Sequence, residues 1–235
     1  AYREKRIHKV ICAVDLMLTL FPFETAVYEQ HGVAVKCVGH PLADSLGFED
    51  HKLRSRQKFE LGADDSIVTL MPGSRGGEIK RLAPVFLDAA VESLIDCPNL
   101  KFLIPYSSAA NHAQINALLR EMSLFSGDQF ILVDDSHAAI SAADLVVLSS
   151  GTATLETLLL RRPMIVGYKL AAITFAIASR LVKIPYVALP NLLAGRQLVP
   201  EFIQHDLTAE KVRDGIVSHI SGAEDHAGLM QEFEK

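Results

Sequence analysis

From Ser66 onward, short apolar runs alternate with segments of helical length, and this rhythm constrains the fold more than any other feature of the chain. Strands are expected at Ser66 to Leu70, Leu100 to Ile104, Phe130 to Val133, Asp144 to Leu148, Met164 to Val166 and Tyr186 to Leu189. Between them fall helices at Glu78 to Asp96, Ala109 to Met122, Ala138 to Ala142, Thr152 to Leu160 and Leu170 to Val182, with further helices closing the chain. Short apolar strands separated by helices fit a parallel sheet covered on both faces. The expected class is therefore α/β, a doubly wound parallel sheet of Rossmann-like type.

Upstream the pattern differs. Leu16 to Phe21 and Val33 to Val38 read as short buried strands flanking a helical Phe23 to Gln30. Gly39-His40-Pro41 and Gly47 then interrupt the pattern before a charged helix, His51 to Leu61. A boundary is expected between Gly39 and Gly47. The opening AYREKR has neither an initiating Met nor a signal-peptide pattern, so the chain reads as starting within a longer protein.

Composition narrows the function classes. With 23 Lys and Arg against 28 Asp and Glu, the net charge of −5 supplies no overall field for nucleic acid, and any anion must be held locally. Cys12, Cys37 and Cys97 are too dispersed for a zinc site and read as buried free thiols in a reducing cytosol. No apolar run reaches the roughly 20 residues that span a bilayer. The segment Leu170 to Ile184 is apolar nearly all round, but at about 1.5 Å per residue it is too short to span. The favoured reading buries it. The alternative exposes Phe175, Ile177 and Leu181 to a membrane surface, with Lys169, Arg180 and Lys183 near anionic headgroups.

In doubly wound sheets ligands sit beyond the carboxyl ends of the strands, and three loops there carry suitable chemistry. Met71-Pro72-Gly73-Ser74-Arg75-Gly76-Gly77-Glu78 opens into a long helix. Gly73 and its neighbours allow close backbone approach, the helix start offers N–H groups, and Arg75 can fork onto phosphate oxygens. No Gly-Lys-Ser/Thr follows, so it is not a Walker loop. The second loop, Ser149 to Glu156, presents Ser150, Gly151 and Thr152 at a helix start, with Glu156 placed to accept from a ribose diol. The third, Pro190 to Gln197, offers Asn191 and Arg196. Taken singly, each also fits an ordinary turn or cap with solvated charges. Three on one sheet favour an anion site.

The segments LMPGSRGGEIKRL, SSGTATLETLLLRRPMIVGYK and RLVKIPYVALPNLLAGR, with LFPFE and VGHPLADS upstream, resemble the lipid-A-disaccharide synthase family over essentially the whole chain. YVALPNLLAGR is the most specific part. The resemblance implies a two-domain GT-B glycosyltransferase, of which residues 1–40 would be the end of the acceptor-side domain and residues 41–235 the nucleotide-sugar-binding domain. It implies an inverting transfer of 2,3-diacylglucosamine from UDP-2,3-diacylglucosamine to 2,3-diacylglucosamine 1-phosphate, giving the β-1,6 lipid A disaccharide and UDP. Implied donor-binding residues are Gly73, Ser74, Arg75, Glu78, Ser150, Gly151, Thr152, Glu156, Asn191 and Arg196. No cofactor is implied, and the lack of any Asp-x-Asp agrees with a transferase that uses no metal. The implied setting is the cytoplasm, with peripheral contact at the inner membrane and a homo-oligomer left open.

Two departures matter. Gln197 stands where an acidic residue is expected after NLLAGR. The general base that the family implies is an Asp of the acceptor-side domain, ahead of this sequence, so no catalytic base is assigned; His40 at the domain crossing reads as structural. Two other readings remain open: another GT-B enzyme using a UDP-sugar, and a non-catalytic nucleotide-binding or interaction module.

Overall fold

The computed structural model describes residues 7–46, 49–124, 128–171, 174–175, 185–222 and 226–233. Six parallel strands form the main sheet: β3 (Ile67–Met71), β4 (Lys101–Pro105), β5 (Phe130–Val133), β6 (Leu145–Ser149), β7 (Met164–Tyr168) and β8 (Glu201–Ile203), in the order β5-β4-β3-β6-β7-β8. Before them, β1 (Met17–Thr19) and β2 (Val35–Cys37) pair in parallel as a separate two-stranded sheet linked by helix α2 (Pro22–Glu29). Among the described residues no strand pairing joins the two sheets.

Period-2 geometry explains why the main strands are apolar throughout. Val68, Leu70, Phe102, Ile104, Leu145 and Val147 point to one face, where Ile79, Leu82 and Phe86 of α5 (Gly76–Ser93) cover them. On the other face lie Ile67, Leu103, Val146, Leu148 and Val166, covered in part by Ala139, Ile140 and Ala142 of α7 (Ser136–Ala142). Thr69, polar but fully buried, donates its hydroxyl to Ala139 O at 2.8 Å and so satisfies the interior. Packing across β7 requires Gly167, since a Cβ there would lie 2.8 Å from the ring of Phe86.

The sequence places five of these strands to within a residue or two, but errs on the sixth. Tyr186 to Leu189 is not a strand. Val187 and Ala188 give their N–H groups to the carboxylate of Glu201, and Pro190 starts a short helix, α9 (Leu189–Ala194), after α8 (Thr152–Leu159). The sheet's last strand is instead β8, paired to β7 through Val166↔Glu201. Only three residues long and preceded by Pro200, β8 carries little periodic signal. Cys37 and Cys97 are half-buried and Cys12 is exposed, which corrects the expectation of three buried thiols; all are free. Most of Leu170 to Ile184 lies outside the described residues, including Ile177, Arg180, Leu181 and Lys183. Among the described residues, no helix is long and apolar enough to cross a membrane.

Candidate functional site

Strand order reverses between β3 and β6: β4 and β5 lie to one side, β7 and β8 to the other. The crevice beyond the carboxyl ends at such a switch point is where this architecture leaves room for a ligand. A cleft of about 520 Å³ opens there, lined by the loops after β3, β4, β5 and β6.

The β3 loop is shaped by Gly73, whose φ of 116° and contact with the next helix both demand glycine. A Cβ at this position would sit 2.5 Å from Glu78 Oε2 and 2.7 Å from Glu78 Cβ. Arg75 occupies the N-cap position of α5 in extended conformation, and its side chain is 82% exposed. Its Nη1 lies 3.0 Å from Glu78 Oε1, an exposed pair that leaves most of the guanidinium fork available. Helix α6 (Ala109–Glu121) fixes this loop from the side. Buried Asn111 donates Nδ2 to Ser74 O and to Ser107 Oγ, both at 2.8 Å, while Gln114 Nε2 reaches Gly76 O at 3.0 Å.

The β6 loop brings a second helix start to the same cleft. Gly151 precedes α8 with Thr152 in its first turn, so α5 and α8 both aim N-termini and their partial positive charge at the opening. Ser150 is held from below: its hydroxyl donates to Val187 O at 2.7 Å and its N–H to Gly167 O at 3.3 Å. With its proton committed, the Ser150 hydroxyl faces the cleft as an acceptor only. Glu156 lines the wall, and one of its oxygens lies 3.4 Å from His137 Nε2.

The structure therefore brings Gly73, Ser74, Arg75, Glu78, Ser150, Gly151, Thr152 and Glu156 together in one cleft. Asn191 and Arg196 are not among its lining residues. Asn191 is fully buried: Nδ2 donates to Val199 O and Glu201 Oε1, and Oδ1 accepts from the N–H groups of Leu198 and Val199. These bonds use the amide's capacity inside the fold. Arg196 pairs with Glu232 at 2.9 Å, away from the cleft.

Two lining loops escaped the sequence reading. Pro105, Tyr106 and Ser107 follow β4, and Asp134 and Ser136 follow β5. The strand-end rule applied to every strand, rather than only to glycine-rich turns, would have found both. Tyr106 packs edge-on against His112, ring centroids 4.7 Å apart, so the aromatic wall is braced by α6. Beside it, Asp135 caps α7. The Ala138 N–H it accepts and then the Lys58 ammonium hold its carboxyl below the ordinary range. Among the described residues no group of three or more His, Cys, Asp or Glu side chains is arranged to hold a metal ion.

Comparison with known proteins agrees with this geometry at the level of fold and family. The putative UDP-N-acetylglucosamine 2-epimerase from Listeria monocytogenes superposes with a TM-score of 0.61 at 14% identity, over 93% of this chain and 54% of that one. WaaG, a glycosyltransferase involved in lipopolysaccharide biosynthesis, gives 0.55 at 12% identity, over 92% and 56%. At such identities the likeness concerns the fold, that of GT-B enzymes. Sequence relatives are nearer. The lipid-A-disaccharide synthase of Pseudomonas aeruginosa strain UCBPP-PA14 is 48% identical over 215 residues, covering 89% of this chain and 55% of the relative. That of Pseudomonas syringae pv. syringae strain B728a is 47% identical over 230 residues, covering 97% and 60%. The chain thus spans little more than half the length of these relatives. A family model described as lipid-A-disaccharide synthetase matches residues 1–233, and the chain belongs to that family.

Proposed function

We propose that the cleft holds the UDP portion of UDP-2,3-diacylglucosamine and that the chain is the donor-binding part of a lipid-A-disaccharide synthase. The observation that carries this reading is the convergence of two helix N-termini and the exposed Arg75 at the switch point, in a chain of this family. A neighbour of the same fold, S. aureus MnaA, was solved with UDP (TM-score 0.60, 13% identity). Gly73, Ser74 and Arg75 would face the diphosphate together with the amides of Gly151 and Thr152 at the start of α8, and Glu156 would accept from the ribose. As the bond to the sugar breaks, the departing UDP gains negative charge, and fixed N–H groups and a guanidinium stabilise it most at that moment.

Asn191 and Arg196 enter this proposal only indirectly, through the segment they help to fold. The acceptor, 2,3-diacylglucosamine 1-phosphate, needs a base to take its 6-hydroxyl proton, and none is assigned here. His40 is engaged internally: its Nδ1 accepts from Leu42 N–H at 3.2 Å and its ring stacks on Phe21. We place the acceptor side in a unit to which residues 1–40 belong. Their separate sheet, with Leu16, Leu18 and Leu20 exposed, supports that division. Acylated substrates favour peripheral contact with the inner membrane.

Calorimetric titration with UDP tests the donor site directly. The chain should bind UDP with modest affinity and form no disaccharide when given both substrates. Absence of UDP binding by the folded chain would overturn the donor assignment, and disaccharide made by rigorously purified chain would overturn the placement of the base elsewhere.

A further inference from the structure

The segment after residue 185, sequence-predicted to line the site, reaches the cleft through one carboxylate. Glu201, first residue of β8, accepts from Val187 N–H through Oε2 at 2.9 Å, and from Ala188 N–H (3.0 Å) and Asn191 Nδ2 (2.6 Å) through Oε1. Val187 turns its carbonyl to the Ser150 hydroxyl, 2.7 Å away. A single residue thus links Glu201 to the β6 loop: its N–H is held by the carboxylate and its C=O holds the cleft serine.

We propose that Glu201 is a positioning residue for the phosphate-facing loop, setting Ser150 and the start of α8 through Val187; as a statement about ligand binding, this rests on the donor reading above. The residue types suit the task. Three donors converge on two oxygens, which a carboxylate satisfies and an amide cannot. In Glu201→Gln the shape is kept, but an –NH2 group must face an N–H group, so one of the three bonds is replaced by donor against donor. The bond at Val187 is the more exposed to this change, because Oε1 keeps two partners when it remains the oxygen. A merely local role, capping α9 and nothing more, would confine the damage to the segment 186–199.

The test uses the chain itself and two readouts. In Glu201→Gln, amide hydrogen exchange should accelerate at Val187 and Ala188 and also at Ser150 and Thr154, whose N–H groups are bonded to Gly167 O and Gly151 O; Ser150 is 37 residues from Val187 in sequence but joined to it through one carbonyl. UDP affinity should fall about tenfold, the effect of one net hydrogen bond. Ser150→Ala cuts the same link from the cleft side. It should also accelerate exchange at Val187, and the two substitutions combined should weaken UDP by less than the sum of their separate effects. If Glu201→Gln does not fold, acceleration at Val187 in Ser150→Ala alone decides the link. Exchange at Ser150 and Thr154 unchanged in a folded Glu201→Gln, or UDP losses that simply add, would overturn the proposal. Coupled exchange in a chain that binds no UDP would sink the donor reading and leave the positioning of Ser150 standing.

Discussion

Two arginines at opposite ends of the sheet show how differently this fold treats charge. At the amino ends of the strands, Arg56 on α4 (Lys52–Lys58) is 4% exposed and donates from Nη2 to both carboxylate oxygens of Asp144, at 2.9 and 3.0 Å. Its remaining N–H groups go to Ala142 O, Gly62 O and Ala63 O, and Asp144 also accepts from Lys52 and from Ile67 N–H. At the carboxyl ends, Arg75 is 82% exposed and touches Glu78. The first guanidinium is locked among backbone carbonyls. The second stands over a cleft bordered by helix N-termini and a glycine that nothing larger can replace. At one end of the sheet the guanidinium is spent on internal partners and at the other it is left able to receive a ligand, so stability and binding are expected to fail independently.

The sharpest way to break that contrast is at the amino ends of the strands. Arg56→Ala removes the buried guanidinium and its bonds to three carbonyls, but Asp144 is 25% exposed and keeps Lys52 and one backbone N–H, so the loss should fall short of that for a fully buried pair, at about 2–3 kcal/mol. That is a large part of the roughly 5–15 kcal/mol by which domains are stable, and urea denaturation should show it directly. Exchanging both partners, Arg56→Met with Asp144→Asn, should cost less than the single change. Equal losses would mean that the unpaired carboxylate is not what the single change costs. Next in size comes Arg75→Ala, expected to weaken UDP binding by about 1.5–3 kcal/mol while stability moves by no more than about 0.5 kcal/mol. An unchanged titration would remove Arg75 from the site.

This contrast was only half legible in the sequence. The βα rhythm from Ser66 to Val166 and the glycine-rich turns after β3 and β6 are local patterns, and they pointed to a parallel sheet and to the loops from Gly73 to Glu78 and Ser150 to Glu156, whereas the switch point follows from a strand order that no local pattern carries. Asn191 looked like a ligand donor because an Asn in a loop after an apolar run has the same local signature whether it faces solvent or the interior. What decides its role is Glu201 and Val199, ten and eight residues on, with which it shares buried hydrogen bonds. Arg56 likewise sat unnoticed in KLRSRQK, a stretch whose composition suggests a solvated helix, because its partner Asp144 is 88 residues away. Charges become structural or functional through such distant partners, which periodicity does not encode.

Asp135 tests the comparison where it is least clear-cut, since it sits at the open end but has internal partners. It caps α7 between two cleft residues, accepting from Ala138 N–H at 2.9 Å and pairing with Lys58 Nζ at 2.6 Å. These bonds, the backbone N–H first, hold its native pKa below the ordinary value. A carboxyl lowered in this way adds stability above its unfolded-state pKa and loses it as pH falls through the native one. In Asp135→Asn the amide oxygen still caps Ala138, while the pair with Lys58 and the charge at the helix start are gone. Both partners are partly exposed, 49% and 38%, so solvent screens the pair and the expected deficit at neutral pH is only about 0.5–1 kcal/mol. Urea titrations of both proteins at successive pH values should show that deficit closing in acid as the native carboxyl protonates, and narrowing at high salt. A deficit that persists in strong acid would assign the loss to altered capping geometry rather than to charge. UDP affinity should not change, because the carboxylate is turned to its own helix and to Lys58; a measurable change would move Asp135 to the ligand side of the contrast.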